Sequence, residues 1–296
     1  MAALRERVEK RLAMAVESAD PAMTEMASHL VRAGSGPSTV SDDAVTGGVA
    51  CELVHVGSLH HDDVIDEAPT RHSVESVNAR WGNLRAILSG DFLLARASEL
   101  AASLGTEVAG LLAATIGRLC EGEVRELQLA YQVGRSEDDY RAAIEGKTAA
   151  LYATACRIGG LVADLPRPEV DALTDYGLHY GLAFQVVDDV LDVVASGDEL
   201  GKPAGHDMAE GVYNLPVLRT LAAAGPAADE LRDLLGGPLT ADAQARALAL
   251  VRAGDGVAEA RSEARAHVAR AEEALAALPR SPAGDALATA ARHLVA

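Results

Sequence analysis

Residues 176–194 read YGLHYGLAFQVVDDVLDVV, and this stretch decides the reading of the chain. It is apolar nearly all round at a helical period and far too long for a strand. A helix of that kind lies at the centre of a bundle, with neighbours on every side. Leu151–Val162 (LYATACRIGGLV) reads the same way. Working outward, helical periodicity continues almost end to end, broken by Gly/Pro-rich punctuation such as Gly82-Asn83, Gly134, Pro166–Pro168, Gly201–Pro203 and Gly236-Gly-Pro238. No convincing alternating strand is present. Residues 258–278 (AEARSEARAHVARAEEALAAL) carry one charged and one Ala/Leu face, which predicts an outer helix.

Composition agrees. The apolar share is 49% with only 3% aromatic residues, so Ala, Leu and Val dominate, and Ala and Leu favour helix. No composition shift or long linker divides the 296 residues. The expectation is an all-α fold, one large helical bundle spanning 1–296 as a single domain.

The formal net charge of −18 and the absence of Lys/Arg clusters exclude nucleic acid as a partner. An acidic chain would also repel an anionic substrate unless cations intervene. No stretch approaches the roughly 18 apolar residues of a membrane span. The N-terminal MAALRERVEKRLA lacks the apolar core of a signal peptide, so a cytoplasmic location is expected. Cys51, Cys120 and Cys156 are widely spaced, without a CxxC pair, and read as small buried side chains.

Two short runs carry the chemistry. Asp62-Asp63-Val-Ile-Asp66 and Asp188-Asp189-Val-Leu-Asp192 share the pattern DDxxD inside apolar helical sequence. Residues i and i+4 of a helix stack on one face, so the first and last carboxylates of each motif converge. Like charges so placed repel, and apolar flanks worsen the repulsion, unless a cation lies between them. All-oxygen donors of this kind suit Mg²⁺ shared with substrate phosphates, which would neutralise a diphosphate leaving group. A solvated acidic face would explain one such motif but not two. Arg71, Lys147-Thr148 and Lys202 supply cations on separate segments, suited to a phosphate clamp.

Taken together, these residues resemble the trans-isoprenyl (polyprenyl) diphosphate synthase family. ELVHVGSLHHDDVIDEAPTR (52–71) looks like its first aspartate-rich region and FQVVDDVLDV (184–193) like its second. NARWGN, LSGDFLLARA, GKTAAL and GDELGKPAGHDMAEGVYNLPVL match in order, and the resemblance covers about residues 50–220. It implies the isoprenoid synthase type of bundle with a central active-site cavity, and a homodimer. Asp62, Asp66 and Asp188 are implied as metal ligands, supported by Asp63, Asp189 and Asp192, around three Mg²⁺ ions. Arg71, Lys147, Thr148, Gln185 and Lys202 are implied to hold the allylic diphosphate, with Lys147 and Lys202 acting alongside the aspartates in catalysis. His55 falls where the family contacts isopentenyl diphosphate; on residue type alone it reads as a core histidine. The implied reaction ionises the allylic diphosphate and adds isopentenyl diphosphate to the resulting cation, with no side-chain nucleophile.

The sequence departs from the family on the acceptor side. The family's Lys/Arg-rich segment upstream of the first motif is here RAGSGPSTVSDD (32–43), and the usual second Arg after the motif is His72. An imidazole is a poorer diphosphate ligand than a guanidinium. Either the chain given lacks a segment or the acceptor has changed. The positions that gate product length in the family are Gly57 and Ser58, both small, which implies an open tunnel and a product of C20 or longer, with Phe92 and Tyr152 as candidate floors. A terpene cyclase or a prenyltransferase using another acceptor is the rival reading, although two Phe, one Trp and six Tyr are few rings for a cyclase pocket. A non-catalytic subunit of a synthase would be expected to have lost the aspartates, and both motifs are complete.

Overall fold

The computed structural model describes residues 10, 11, 14, 41–71, 74–195 and 204–296. His72, Lys202 and most of the altered 34–41 stretch lie outside the described residues. The described chain is all-α apart from one two-residue hairpin, β1 (Thr70–Arg71) paired antiparallel with β2 (Val74–Glu75). Ladders this short carry no alternating pattern, so the sequence gives no strand signal there.

The chain forms two compact units, one comprising residues up to 116 with 154–170, the other 117–153 with 171–296. In the first, α1 (Asp42–Ile65) starts at an N-cap where Ser41 Oγ accepts from Ala44 N at 3.1 Å, with Asp42 and Asp43 in its first turn. Both features satisfy the positive end of a helix. Its buried face, Val45, Val49, Ala50, Leu53, Val54 and Val56, packs on α3 (Asn83–Ser103), which buries Ala86, Leu93, Ala97 and Ala101. The two backbones meet at glycines. A Cβ on Gly57 would lie 3.2 Å from the Gly90 carbonyl oxygen, and a Cβ on Gly90 only 2.3 Å from His61 Nε2. Between them, the hairpin and the short α2 (Val77–Trp81) turn the chain, ending at Gly82 with φ +89°.

Three helices contribute residues to both units: α4 (Thr106–Gln128), α6 (Ala150–Val162) and α7 (Arg167–Val194). The second unit adds α5 (Glu137–Ile144), a π-helical turn (Glu145–Ala149), and α8 (His206–Ala209) to α13: α9 (Leu215–Ala222), α10 (Pro226–Leu234), α11 (Ala241–Ala253), α12 (Gly256–Leu275) and α13 (Pro282–His293). Its core joins Leu182, Val186, Val190 and Val193 of α7 to Tyr140, Ile144, Tyr213, Leu218, Leu231 and Val251. Helix α12 buries Ala260, Ala264, Val268 and Ala271 and exposes its charged face, as its sequence predicts.

The all-round burial expected for α7 fails on one face. Phe184 is 39% and Leu191 41% exposed, and Asp188 is exposed between them. At spacings of four and three these residues share one face. The apolar stripe there frames a carboxylate, with Tyr152 of α6 against Phe184 at 5.6 Å between ring centroids. The cysteines also differ: Cys51 is buried but Cys120 is exposed on α4. Burial pushes the Cys51 and Cys156 thiols up to about 12, which leaves both inert.

Candidate metal and diphosphate site

In the first motif, helix geometry sorts the residues. His55, Ser58 and Asp62 lie on the accessible face of α1 and Asp66 is exposed at its C-cap, whereas Gly57, His60 and Asp63 are buried. His55 is thus exposed, not the core histidine its residue type suggests; the buried one is His60. Asp63 is fully buried, and its Oδ1 accepts from Arg71 Nε at 2.7 Å and Nη2 at 2.6 Å. Its backbone oxygen accepts from Ala68 N and Asn78 Nδ2, each within 2.9 Å. Arg71, expected on a diphosphate, therefore also ties the hairpin to the end of α1. A carboxylate removed from water needs such a partner.

The second motif repeats the division at its first two positions and departs from it at the last, where Asp192 is buried although Asp66 is exposed. Asp188 is exposed, while Asp189 and Asp192 are 4% and 3% exposed. Tyr140 Oη donates to Asp189 Oδ2 at 2.6 Å and Gln185 Nε2 to Oδ1 at 2.9 Å. Thr148 Oγ1 donates to Gln185 Oε1 at 2.6 Å, so Thr148, Gln185 and Asp189 form one chain of bonds. Burial, and next the charge of Asp207, push the Asp189 carboxyl up to about 8, against the two donated bonds. The backbone oxygen of Asp192 accepts from Gly205 N at 2.8 Å, anchoring the far end of the motif to the turn before α8.

Lys147 and Thr148 sit on the π-helical turn, a widened turn that often marks a functional site. It lies where α4 passes close: a Cβ on Gly122 would come within 2.5 Å of Lys147 N, and one on Gly146 within 2.9 Å of Arg118 O. Lys147 Nζ ion-pairs with Glu126 at 2.5 Å and Glu123 at 3.0 Å. Burial works against its charge, but the Glu126 and Glu123 carboxylates hold the ammonium well above its ordinary range.

The structure thus brings Lys147, Thr148, Gln185 and the second motif together in one unit, and His55, Ser58, the first motif and Arg71 in the other. Sequence reasoning missed Tyr140, Glu123, Glu126 and Asp207. Asp207 was visible as an acid inside the matched run GDELGKPAGHDMAEGV; Tyr140 and the glutamates carry no local signal, because only the fold sets them against Asp189 and Lys147. Among the described residues no three His, Cys, Asp or Glu side chains form a ready-made metal cage. Paired carboxylates with accessible oxygens still fit a hard divalent ion that takes the rest of its shell from water and phosphate.

The polyprenyl synthetase family profile matches residues 20–251. The nonaprenyl diphosphate synthase of Mycobacterium tuberculosis is 38% identical over 307 residues, covering 97% of this chain and 92% of that protein. Heptaprenyl diphosphate synthase component 2 of Geobacillus stearothermophilus is 38% identical over 245 residues, covering 75% of this chain and 77% of that one. Among solved structures, a polyprenyl synthase from Caulobacter crescentus CB15, complexed with calcium and isoprenyl diphosphate, is similar with a TM-score of 0.91 at 31% identity, covering 98% of this chain and 93% of that one. Two DDxxD motifs on apolar helices, each with its first carboxylate accessible and its second held inside, occur here in a chain that belongs to the polyprenyl synthetase family.

Proposed function

We propose that this prenyltransferase adds isopentenyl diphosphate to an allylic diphosphate, giving a trans-polyprenyl diphosphate of C20 or longer. The observation that carries the reading is the division between the first two aspartates of each motif, the first accessible and the second buried. Asp62, Asp66 and Asp188 are left accessible, while Asp63 and Asp189 are drawn inward by Arg71 and by Tyr140 with Gln185. The long-chain products named for relatives, and isoprenyl diphosphate and calcium in the Caulobacter structure, support the substrate class and a divalent ion.

Asp62, Asp66 and Asp188 would hold Mg²⁺, three ions in the proposal, with Asp63, Asp189 and Asp192 in support. The metal supplies charge neutralisation for the departing diphosphate. Lys147 stays cationic and presents one further charge, Thr148 and Gln185 are held in a fixed orientation by their mutual bond, and Arg71 and Lys202 complete the proposed clamp. His55 and His72 are proposed on the acceptor side. No residue needs to act as a nucleophile. Asp62→Asn and Asp188→Asn should each lower kcat about 10²–10³-fold, and EDTA should abolish turnover until Mg²⁺ is restored. Turnover that survives chelation would contradict the reading.

We further propose a cytoplasmic homodimer acting as one domain. No described helix is long and apolar enough to cross a membrane. On α3, Leu84 is 73%, Ile87 40% and Leu88 50% exposed, a ridge at helical spacing that a second copy would cover. Leu84→Asp with Leu88→Glu should halve the mass seen by light scattering. A wild-type chain that is monomeric until a protein of different sequence is added would favour a two-component enzyme.

A further inference from the structure

The buried network behind Asp189 has a member that the proposed reaction does not use. Tyr140 is 2% exposed on α5, and its only polar atom is spent on Asp189 Oδ2. Behind its ring lies Arg135, 6% exposed, with its guanidinium carbon 5.7 Å from the ring centroid. Arg135 Nη1 donates to the Tyr213 carbonyl oxygen at 3.3 Å, and its Nε and Nη2 find no hydrogen-bond partner among the described residues. A buried guanidinium ordinarily sits on a carboxylate. Here the nearest use of its charge is through the tyrosine ring, whose face attracts cations and whose hydroxyl points at the acid beyond.

The effect on α7 is rotational. Asp188 and Asp189 point about 100° apart around the helix. With both Asp189 oxygens occupied, by Tyr140 on one and Gln185 on the other, that side of α7 is fixed inward and Asp188 is turned out. Asn214 Nδ2 adds a bond to the Asp189 backbone oxygen at 3.3 Å. Each Asp189 oxygen thus accepts one bond from a side-chain donor, which directs the carboxylate towards α5 and away from the face that carries Asp188.

We propose that Tyr140, backed by Arg135, is a positioning residue for the second motif: it holds Asp189 as an internal anchor so that Asp188 is the carboxylate offered to the metal. The proposal rests on the metal-binding reading above. It separates the adjacent aspartates into different jobs, and it gives Arg135 a reason to be buried without an acid on it among the described residues.

The test uses the full-length protein without substrate, with Mn²⁺ as the probe and its affinity measured by electron paramagnetic resonance, followed by the Mg²⁺ concentration for half-maximal turnover. Tyr140→Phe keeps the ring over Arg135 and loses only the hydroxyl. It should fold with wild-type helicity, weaken Mn²⁺ binding about tenfold, and raise the Mg²⁺ requirement by a similar factor with little change in the allylic KM at saturating metal. Asp189→Asn should keep measurable Mn²⁺ binding where Asp188→Asn loses most of it. In an Asp189→Asn background, Tyr140→Phe should add little, because the two residues act through one bond. Unchanged Mn²⁺ affinity in Tyr140→Phe would overturn the proposal, as would additive effects in the double variant. Loss of metal in Asp189→Asn as complete as in Asp188→Asn would make Asp189 a direct ligand and also overturn it. A wild-type protein that binds no Mn²⁺ would sink the metal reading itself, a different result from a wild type that binds it beside an unaltered Tyr140→Phe.

Discussion

Gly57 and Ser58 are neighbours with opposite surroundings. A side chain at 57 would be driven against the Gly90 carbonyl oxygen and Leu94, at 3.2 and 3.3 Å, whereas Ser58 is half-buried on the face that carries Asp62, its hydroxyl donating to the His55 carbonyl. Gly57→Phe should therefore destabilise the protein by about 1–3 kcal/mol through overpacking, read as a lowered denaturation midpoint. Ser58→Phe should keep its midpoint and shift the product distribution to shorter chains on reverse-phase chromatography. An unchanged distribution in Ser58→Phe would remove this position from the control of length. The same scale shows what the sequence could and could not reveal. The DDxxD runs stand out in the sequence because acids recur inside apolar helices. The acids at i and i+4, neighbours on a helix face, are both accessible only in the first run, Asp192 being buried while Asp188 is exposed. Which aspartate turns inward was not legible, since Arg71 reaches Asp63 across a hairpin and Tyr140 reaches Asp189 from another helix.

Among the elements, the π-helical turn and its crossing with α4 set the position of Lys147. Gly122 and Gly146 let the two backbones approach, and the contacts a methyl group would meet at 122 are backbone atoms, 2.5 Å from Lys147 N and 3.0 Å from Ala143 O. Backbone cannot swing aside as a flexible side chain can. Gly122→Ala should lower stability by about 1–3 kcal/mol and reduce kcat more than Gly117→Ala, where a Cβ meets nothing within 4 Å. Equal effects of the two substitutions on urea midpoint and kcat would contradict this account. The periodicity of this region announced a helix but hid the extra residue in its turn, because a one-residue widening leaves the apolar pattern on either side intact.

Helices α7 and α12 meet through a histidine pair, His179 Nδ1 and His267 Nδ1 at 3.1 Å, where one ring donates to the other. Burial, and then the Arg270 charge, lower His179; burial, and then His179, lower His267 to about 4. Both groups are neutral in the fold and take up protons more readily once unfolded. Their contribution is complete above pH 6.5, the ordinary histidine value, and is lost as pH falls from there towards about 4. His267→Gln should show a smaller fall in Tm between about pH 7.5 and 5 than the wild type, by about 2–4 °C for each kcal/mol removed. Parallel curves for the two proteins would mean the pair does not couple to folding.

At the scale of the molecule, a chain of net charge −18 acts on substrates that are themselves anions. The acidic motifs make sense of that only if divalent ions stand between protein and diphosphate. The all-α architecture was readable from composition and period because Ala and Leu are abundant in a chain with few rings and the apolar residues recur at a helical period. The division into two compact units was not, since α4, α6 and α7 contribute to both and no linker or change of composition marks a boundary. With those three helices shared, a single cooperative thermal transition is expected by calorimetry; two separated transitions would argue that the units fold independently.

The central claim is that the accessible aspartates serve metal-assisted transfer of a prenyl group onto isopentenyl diphosphate. The most direct measurement incubates the protein with Mg²⁺, farnesyl diphosphate and labelled isopentenyl diphosphate, and separates the products by chain length. The account predicts labelled prenyl diphosphates of C20 or longer, absent with EDTA and strongly reduced in Asp62→Asn and Asp188→Asn. A hydrocarbon or alcohol formed from farnesyl diphosphate alone, with no label incorporated, would contradict it.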